Sequence, residues 1–215
     1  MNNNILELKK ISKTFNHRNG TIKIFDNINL KIKNGDLIAL VGPSGSGKST
    51  FLNIISFLDK YSSGSILFQG KNIKSFNESQ KNEIRKSNIS MIFQDNNLLS
   101  DFTVLENVAM PLIIKNESIK NSYKKAKEIL SIVKLQHRLD HFPDELSGGE
   151  QQRVAIARAL APKPKLMLMD EPFTSLDNRL RDEIRDLTLS LLSEEGTSVI
   201  MVTHDPEEAM KVSDS

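Results

Sequence analysis

The stretch GPSGSGKST, Gly42 to Thr50, has the residue types needed to hold a polyphosphate. Its glycines, Gly42, Gly45 and Gly47, let the backbone curl so that successive N–H groups converge on one anion. Lys48 adds a point charge for β- and γ-phosphates, and the Ser49 hydroxyl can ligate Mg²⁺. Pro43, Ser44, Ser46 and Thr50 complete the candidate nucleotide-binding loop. A second constellation, LMLMDEP, ends an apolar run in two carboxylates. Asp170 suits an acidic group that orients Mg²⁺, and Glu171 suits a general base that polarises an attacking water. Gln94 and His204 follow two further apolar runs. There they suit positioning of the γ-phosphate and the water, with Gln94 also a candidate Mg²⁺ group. Phosphoryl transfer needs charge neutralisation and an in-line nucleophile more than covalent chemistry. His17, His137 and His141 are expected at surface or packing positions with no chemical role.

A third stretch raises a question. ELSGGEQQRVAIARALA, Glu145 to Ala161, opens a helix at Ser147-Gly148-Gly149, and a helix start is itself an anion-binding place. A helix on a separate arm does not easily reach the nucleotide held by its own loop. It can reach the γ-phosphate held by a neighbouring subunit. That predicts a head-to-tail homodimer burying two nucleotides, each touched by both chains.

The elements that position these residues are four short apolar runs: LIALV (37–41), ISMIF (89–93), LMLM (166–169) and SVIMV (198–202). Such runs suit strands buried on both faces. Each is followed at once by a polar or glycine-rich element: Gly42-Pro43-Ser44, Gln94-Asp95, Asp170-Glu171 and Thr203-His204-Asp205. Ligands of open α/β sheets bind outside the carboxyl ends of strands, so one shared site is expected. INLKI (28–32) alternates as a half-buried strand does. A helix is expected from Lys48 through TFLNIISFL. Tyr123, Ala126, Ile129, Leu130 and Val133 form one helical stripe, and Val154, Ala157 and Ala161 form another that Pro162 stops. The expected fold class is α/β: a P-loop core with a mostly parallel sheet, an N-terminal antiparallel β subdomain and an inserted helical subdomain. The core would span 1–94 and 164–215 and the insertion about 95–163, all in one domain, 1–215.

The 215 residues are 38% hydrophobic and 26% charged with net charge +2, ordinary for a globular protein and without the basic excess of a nucleic-acid binder. There is no cysteine, so disulfides and thiolate metal sites are excluded. MNNNILELKK lacks the apolar stretch of a signal peptide, and no run approaches membrane-span length. The expected location is cytoplasmic, with membrane contact supplied by a partner.

The sequence resembles the ATP-binding-cassette (ABC) ATPases over essentially its whole length. GPSGSGKST is similar to their Walker A motif, LMLMDE to Walker B and LSGGEQQR to their signature. Gln94 resembles the Q-loop glutamine, Asp177 the end of the D-loop, and His204 the switch histidine. Phe15 lies where the family has an adenine-stacking aromatic. The resemblance implies ATP and Mg²⁺ as ligands and ATP-driven dimerisation. It also implies integral membrane permease subunits as partners, on the inner face of the cell membrane. Phe93 to Leu112 lies where the family docks a coupling helix. The first two thirds are similar to lipoprotein-release and macrolide-export ATPases, and the last third to solute-importer ATPases. The transported substrate and direction therefore stay open. A non-transport ABC ATPase is the reading from another class, and the absence of coiled coils and of a second cassette speaks against it. The chain stops at KVSDS, where the family usually continues with strands and a helix, so either a piece is missing or this is an abbreviated version.

Overall fold

Two sheets divide the strands by the company their residues need. A computed structural model of the chain describes residues 3–17, 20–204 and 209–210. Strands β1 (Asn4–His17) and β2 (Gly20–Lys33) pair antiparallel, and β4 (Ser63–Phe68) and β5 (Lys71–Asn72) extend them in the order β2-β1-β4-β5. In INLKI, Ile28, Leu30 and Ile32 turn inward while Asn29 and Lys31 are exposed, as alternation demands. The second sheet is parallel: β3 (Leu37–Leu40), β6 (Ile89–Ile92), β7 (Leu166–Asp170) and β8 (Ser198–Val202), in the order β3-β8-β7-β6.

The apolar runs of β7 and β8 serve two cores at once. Leu166, Leu168, Ile200 and Val202 face a cluster shared with β1, β4 and helix α1 (Lys48–Ile55). Met167, Met169, Val199 and Met201 face the other side, against α5 (Gly148–Leu160) and α6 (Asn178–Glu194). All ten residues of the two strands are buried, which is why they read as unbroken apolar runs.

Between β6 and β7 lie α3 (Val104–Ile114), α4 (Ile119–Ile132) and α5. Val104, Val108, Leu112, Ala126, Leu130, Val154 and Ala157 make a third cluster among them. Helix α5 belongs to two clusters: Ile156, Ala159 and Leu160 face the sheet while Val154 and Ala157 face the helical arm. The remaining helix, α2 (Glu78–Asn88), precedes β6 and buries no residue fully.

Two expectations are corrected. Strand β3 is half-buried throughout and β6 buries only Ser90 and Ile92, rather than both being buried on both faces, because they stand at the two edges of their sheet with only β8 and only β7 beside them. Helix α1 ends at Ile55 instead of continuing to Leu58. Phe57 takes a left-handed φ of 64°. The Leu58 and Asp59 N–H groups fold back onto the Asn53 carbonyl, which closes the helix end. Asp205 and the KVSDS end lie outside the described residues, as does the side chain of His17. His137 is exposed, and His141 is half-buried with Nε2 3.0 Å from Arg138. Among the described residues, no helix is long and apolar enough to cross a membrane.

Candidate active site

The loop between β3 and α1 turns through two glycines in left-handed conformation, Gly45 at φ 77° and Gly47 at φ 90°. Gly47 admits nothing larger, since an added Cβ would run into Ile24 Cγ2 on β2. Helix α1 then starts with no side chain bonded to its first turn. Every other described α-helix is capped by a side chain: Asn77, Thr103, Ser118, Ser147 and Asp177. The uncapped N–H groups and positive dipole end of α1 suit an anion. Lys48 Nζ is held at the mouth by the Gly42 and Pro43 carbonyls, at 2.8 and 2.9 Å.

These residues open onto a cavity of about 410 Å³ lined by Ile24, Ser44, Gly45, Gly47, Lys48, Ser49, Thr50, Gln94, Asp170 and Glu171. Three of the four strand ends meet there, as the polar residues after the apolar runs predict. The fourth joins through His204, whose Nδ1 stands 3.3 Å from Glu171 Oε2. Asp170 is buried, and Glu171 is half-buried with an unusual backbone, φ 49°. Its N–H is pinned to the Val202 carbonyl at 3.0 Å, so β8 fixes the turn that presents the carboxylate.

The cavity fits a nucleotide and its metal. Glycine-lined backbone and an uncapped helix start suit phosphates. Ser49 and Asp170 both line the cavity and offer oxygen ligands, enough for a Mg²⁺ that keeps waters and phosphate oxygens. Among the described residues no group of three or more His, Cys, Asp or Glu side chains could cage a metal alone.

Ser147, Gly148 and Gly149 do not line this cavity. Ser147 caps α5: its hydroxyl accepts from the Glu150 N–H at 3.3 Å, and Glu150 Oε2 accepts from the Ser147 N–H at 2.9 Å. The Ser147 N–H and hydroxyl, with Arg138 on the opposite oxygen at 2.9 Å, hold the Glu150 carboxyl down at about 2. Gly149 lies against the β7–α6 loop, where a Cβ would stand 3.3 Å from the Ser175 carbonyl, whereas Gly148 faces open space. Asp177 caps α6 through the Leu180 N–H at 3.1 Å. Phe15 also lies off the cavity, its ring 45% exposed with Lys13 Nζ 4.5 Å from the centroid.

Three residues escaped the sequence reading. Ile24 walls the loop from the other sheet, and nothing local in the sequence marks it. Arg158 on α5 donates to the Asn96 and Asn97 carbonyls, at 2.7 Å each, tying the segment after Gln94 to the helical arm. Gln152 is fully buried, and a polar residue inside the apolar face of a helix was the signal available.

A sequence model described as ABC transporter matches residues 25–174, from β2 past both carboxylates. The chain belongs to the ABC transporter family. As a cassette of that family it binds ATP and hydrolyses it, and the hydrolysis is coupled to transport. A lipoprotein-releasing system ATP-binding protein LolD of Rickettsia bellii is 43% identical over 99% of this chain and 94% of its own length. The LolD of Buchnera aphidicola subsp. Schizaphis graminum is 45% identical over 95% of this chain and 90% of its own length. Among solved structures, the dimeric MJ0796 cassette, described as bacterial, superposes with TM-score 0.90 at 41% identity. It covers 95% of this chain and 90% of that one. The same cassette as a dimer in a post-hydrolysis state with ADP and Pi gives TM-score 0.89.

Proposed function

We propose that this cassette is the ATP-hydrolysing subunit of a transporter of lipoprotein-release type, working as a homodimer with its nucleotides between two copies. One observation carries the reading. The nucleotide cavity gathers Lys48, Ser49, Gln94, Asp170 and Glu171, yet leaves the Gly148 helix start outside and facing open space. Two copies arranged head to tail complete each other's sites. The lipoprotein-release assignment rests on relatives whose match runs through the last third of the chain as well as the first. That favours it over the importer reading.

Each residue has a task. Lys48 exchanges its loop carbonyls for phosphate oxygens. Phe15 stacks on the adenine from its exposed position on β1. Ser49, Asp170 and Gln94 would hold Mg²⁺, which would supply charge neutralisation for the triphosphate. Glu171 orients the attacking water and takes its proton, and His204, 3.3 Å away, holds that carboxylate in line. Ser147, Gly148 and Gly149 close over the γ-phosphate of the partner copy, with Asp177 at the same seam.

The membrane partner docks on a groove of about 340 Å³ between α2, the segment after β6, α3 and α5. Phe93, Pro111, Ile114, Arg85 and Arg158 line it. Ile114 and nearby Leu99 are exposed apolar residues, of the kind a permease segment covers. A permease segment docked there would hold the cassette at the inner face of the cell membrane.

The test is replacement. In a cell whose lipoprotein-releasing ATPase is depleted, this chain expressed with its own membrane subunits should restore release, and Glu171→Gln should not. Glu171→Gln should lower steady-state phosphate release on the order of a hundredfold while ATP still binds. Restoration by Glu171→Gln, or wild-type phosphate release from it, would overturn the base assignment. No restoration by an ATPase-active wild type would overturn the transporter type.

A further inference from the structure

Gln152 sits on the second turn of α5 with no exposed surface. A primary amide buried in an apolar setting must satisfy both its ends or destabilise the fold. Its Oε1 accepts from the Ser175 N–H at 2.9 Å, and its Nε2 donates to the Glu171 carbonyl at 3.4 Å. The two partners fix which end is oxygen and which is nitrogen. They also belong to the two halves of the site: Glu171 faces the chain's own cavity, and Ser175 opens the Ser175-Leu176-Asp177 stretch against which Gly149 packs.

We propose that Gln152 is a positioning residue for hydrolysis. It clamps the backbone of Glu171 to the helix that carries the signature, so that the base is aligned when that helix meets the partner's nucleotide. This rests on the assignment of Glu171 as the base. Three observations support it. Glu171 is held at φ 49°, a conformation a non-glycine residue keeps only when its surroundings enforce it. Its N–H is tied to Val202 on one side, and its carbonyl accepts from Thr174 Oγ1 at 3.1 Å as well as from Gln152. Loss of the Gln152 amide leaves one donor on that carbonyl, and α5 then no longer reports its position to the base. Helix α5 is itself shared between the sheet core and the helical arm, so arm movement reaches Glu171 by a direct route.

The test uses Gln152→Met, which keeps the volume and removes both hydrogen bonds. kcat should fall about tenfold, the kinetic equivalent of one lost buried hydrogen bond, with the ATP dissociation constant within about twofold of wild type. Unchanged kcat, or a parallel loss of kcat and ATP binding, would overturn the proposal.

Gln152→Glu supplies a second readout that a packing role would not move. Ionised, this carboxylate faces the Glu171 carbonyl without a proton to donate; protonated, it restores the donor. Burial raises its pKa, so its kcat relative to wild type should climb as pH falls from about 8 to about 6. The charged groups of the surrounding segments include Glu150, Arg153 and Arg158 on the same helix, Asp170 and Glu171 at the end of β7, Asp177 on the β7–α6 loop, Arg181 on α6, which bonds the Leu176 carbonyl, and His204 after β8. They are common to both proteins, so the ratio isolates position 152. A ratio flat with pH would overturn the proposal even if the methionine variant fails to fold. Normal turnover by Gln152→Met beside a dead Glu171→Gln removes the clamp and spares the base. An active Glu171→Gln removes the base itself.

Discussion

Lys48 is the residue whose contacts say most about its task. Its ammonium is satisfied by two loop carbonyls, and a phosphate offers it stronger, charge-assisted bonds at the same place. Lys48→Ala should weaken ATP binding by roughly tenfold or more, measured by calorimetry, because the charge acts on the bound ground state as well as on the reaction. Unchanged affinity would mean that the α1 dipole and backbone N–H groups alone hold the triphosphate. Glu171 differs in kind: it follows β7 and is no part of the glycine loop that holds Lys48, so its removal should spare binding and stop turnover.

At the scale of elements, the start of α5 is a charge-stabilised cap. The Glu150 carboxyl is held at about 2 against an ordinary 4.5. The Ser147 N–H contributes most, then its hydroxyl, then Arg138. A depressed carboxyl stabilises the fold above its unfolded value, and that stabilisation is lost as pH falls through the folded value. Wild type should therefore lose thermal stability between about pH 5 and pH 2 relative to Glu150→Gln, the two curves converging in acid. Melting curves that stay parallel over that range would contradict the cap.

How much of this was legible in the sequence follows from what periodicity records. Unbroken apolar runs identified β7 and β8 because both faces of those strands are covered. The same pattern overstated β3 and β6, since composition does not register a missing neighbour at a sheet edge. The α1 boundary failed for a related reason: SFL carries on the apolar pattern, and only the left-handed turn at Phe57 ends the helix. The loop glycines, Lys48, Asp170 and Glu171 were legible because phosphate chemistry restricts residue type and spacing. Gln152 was hidden because its partners, Glu171 and Ser175, are distant in sequence and meet it only through the packing of α5 on β7.

The whole molecule is a sheet core and a helical arm joined by α5, with a nucleotide cavity on the core and a helix start presented on the arm. On the proposed reading neither surface finishes the site alone: one helix start would hold the chain's own triphosphate and the other would close on its twin's. A bulky cation at the second start should separate the two tasks. Ser147→Arg should leave ATP binding by the monomer within about twofold and block association.

Sedimentation velocity of Glu171→Gln with saturating ATP tests this most directly. A dimer that forms with ATP, dissolves with ADP and disappears when Ser147→Arg is added to the same chain is the predicted result. A Glu171→Gln protein that is saturated with ATP yet sediments as a monomer, or a dimer indifferent to Ser147→Arg, would contradict it.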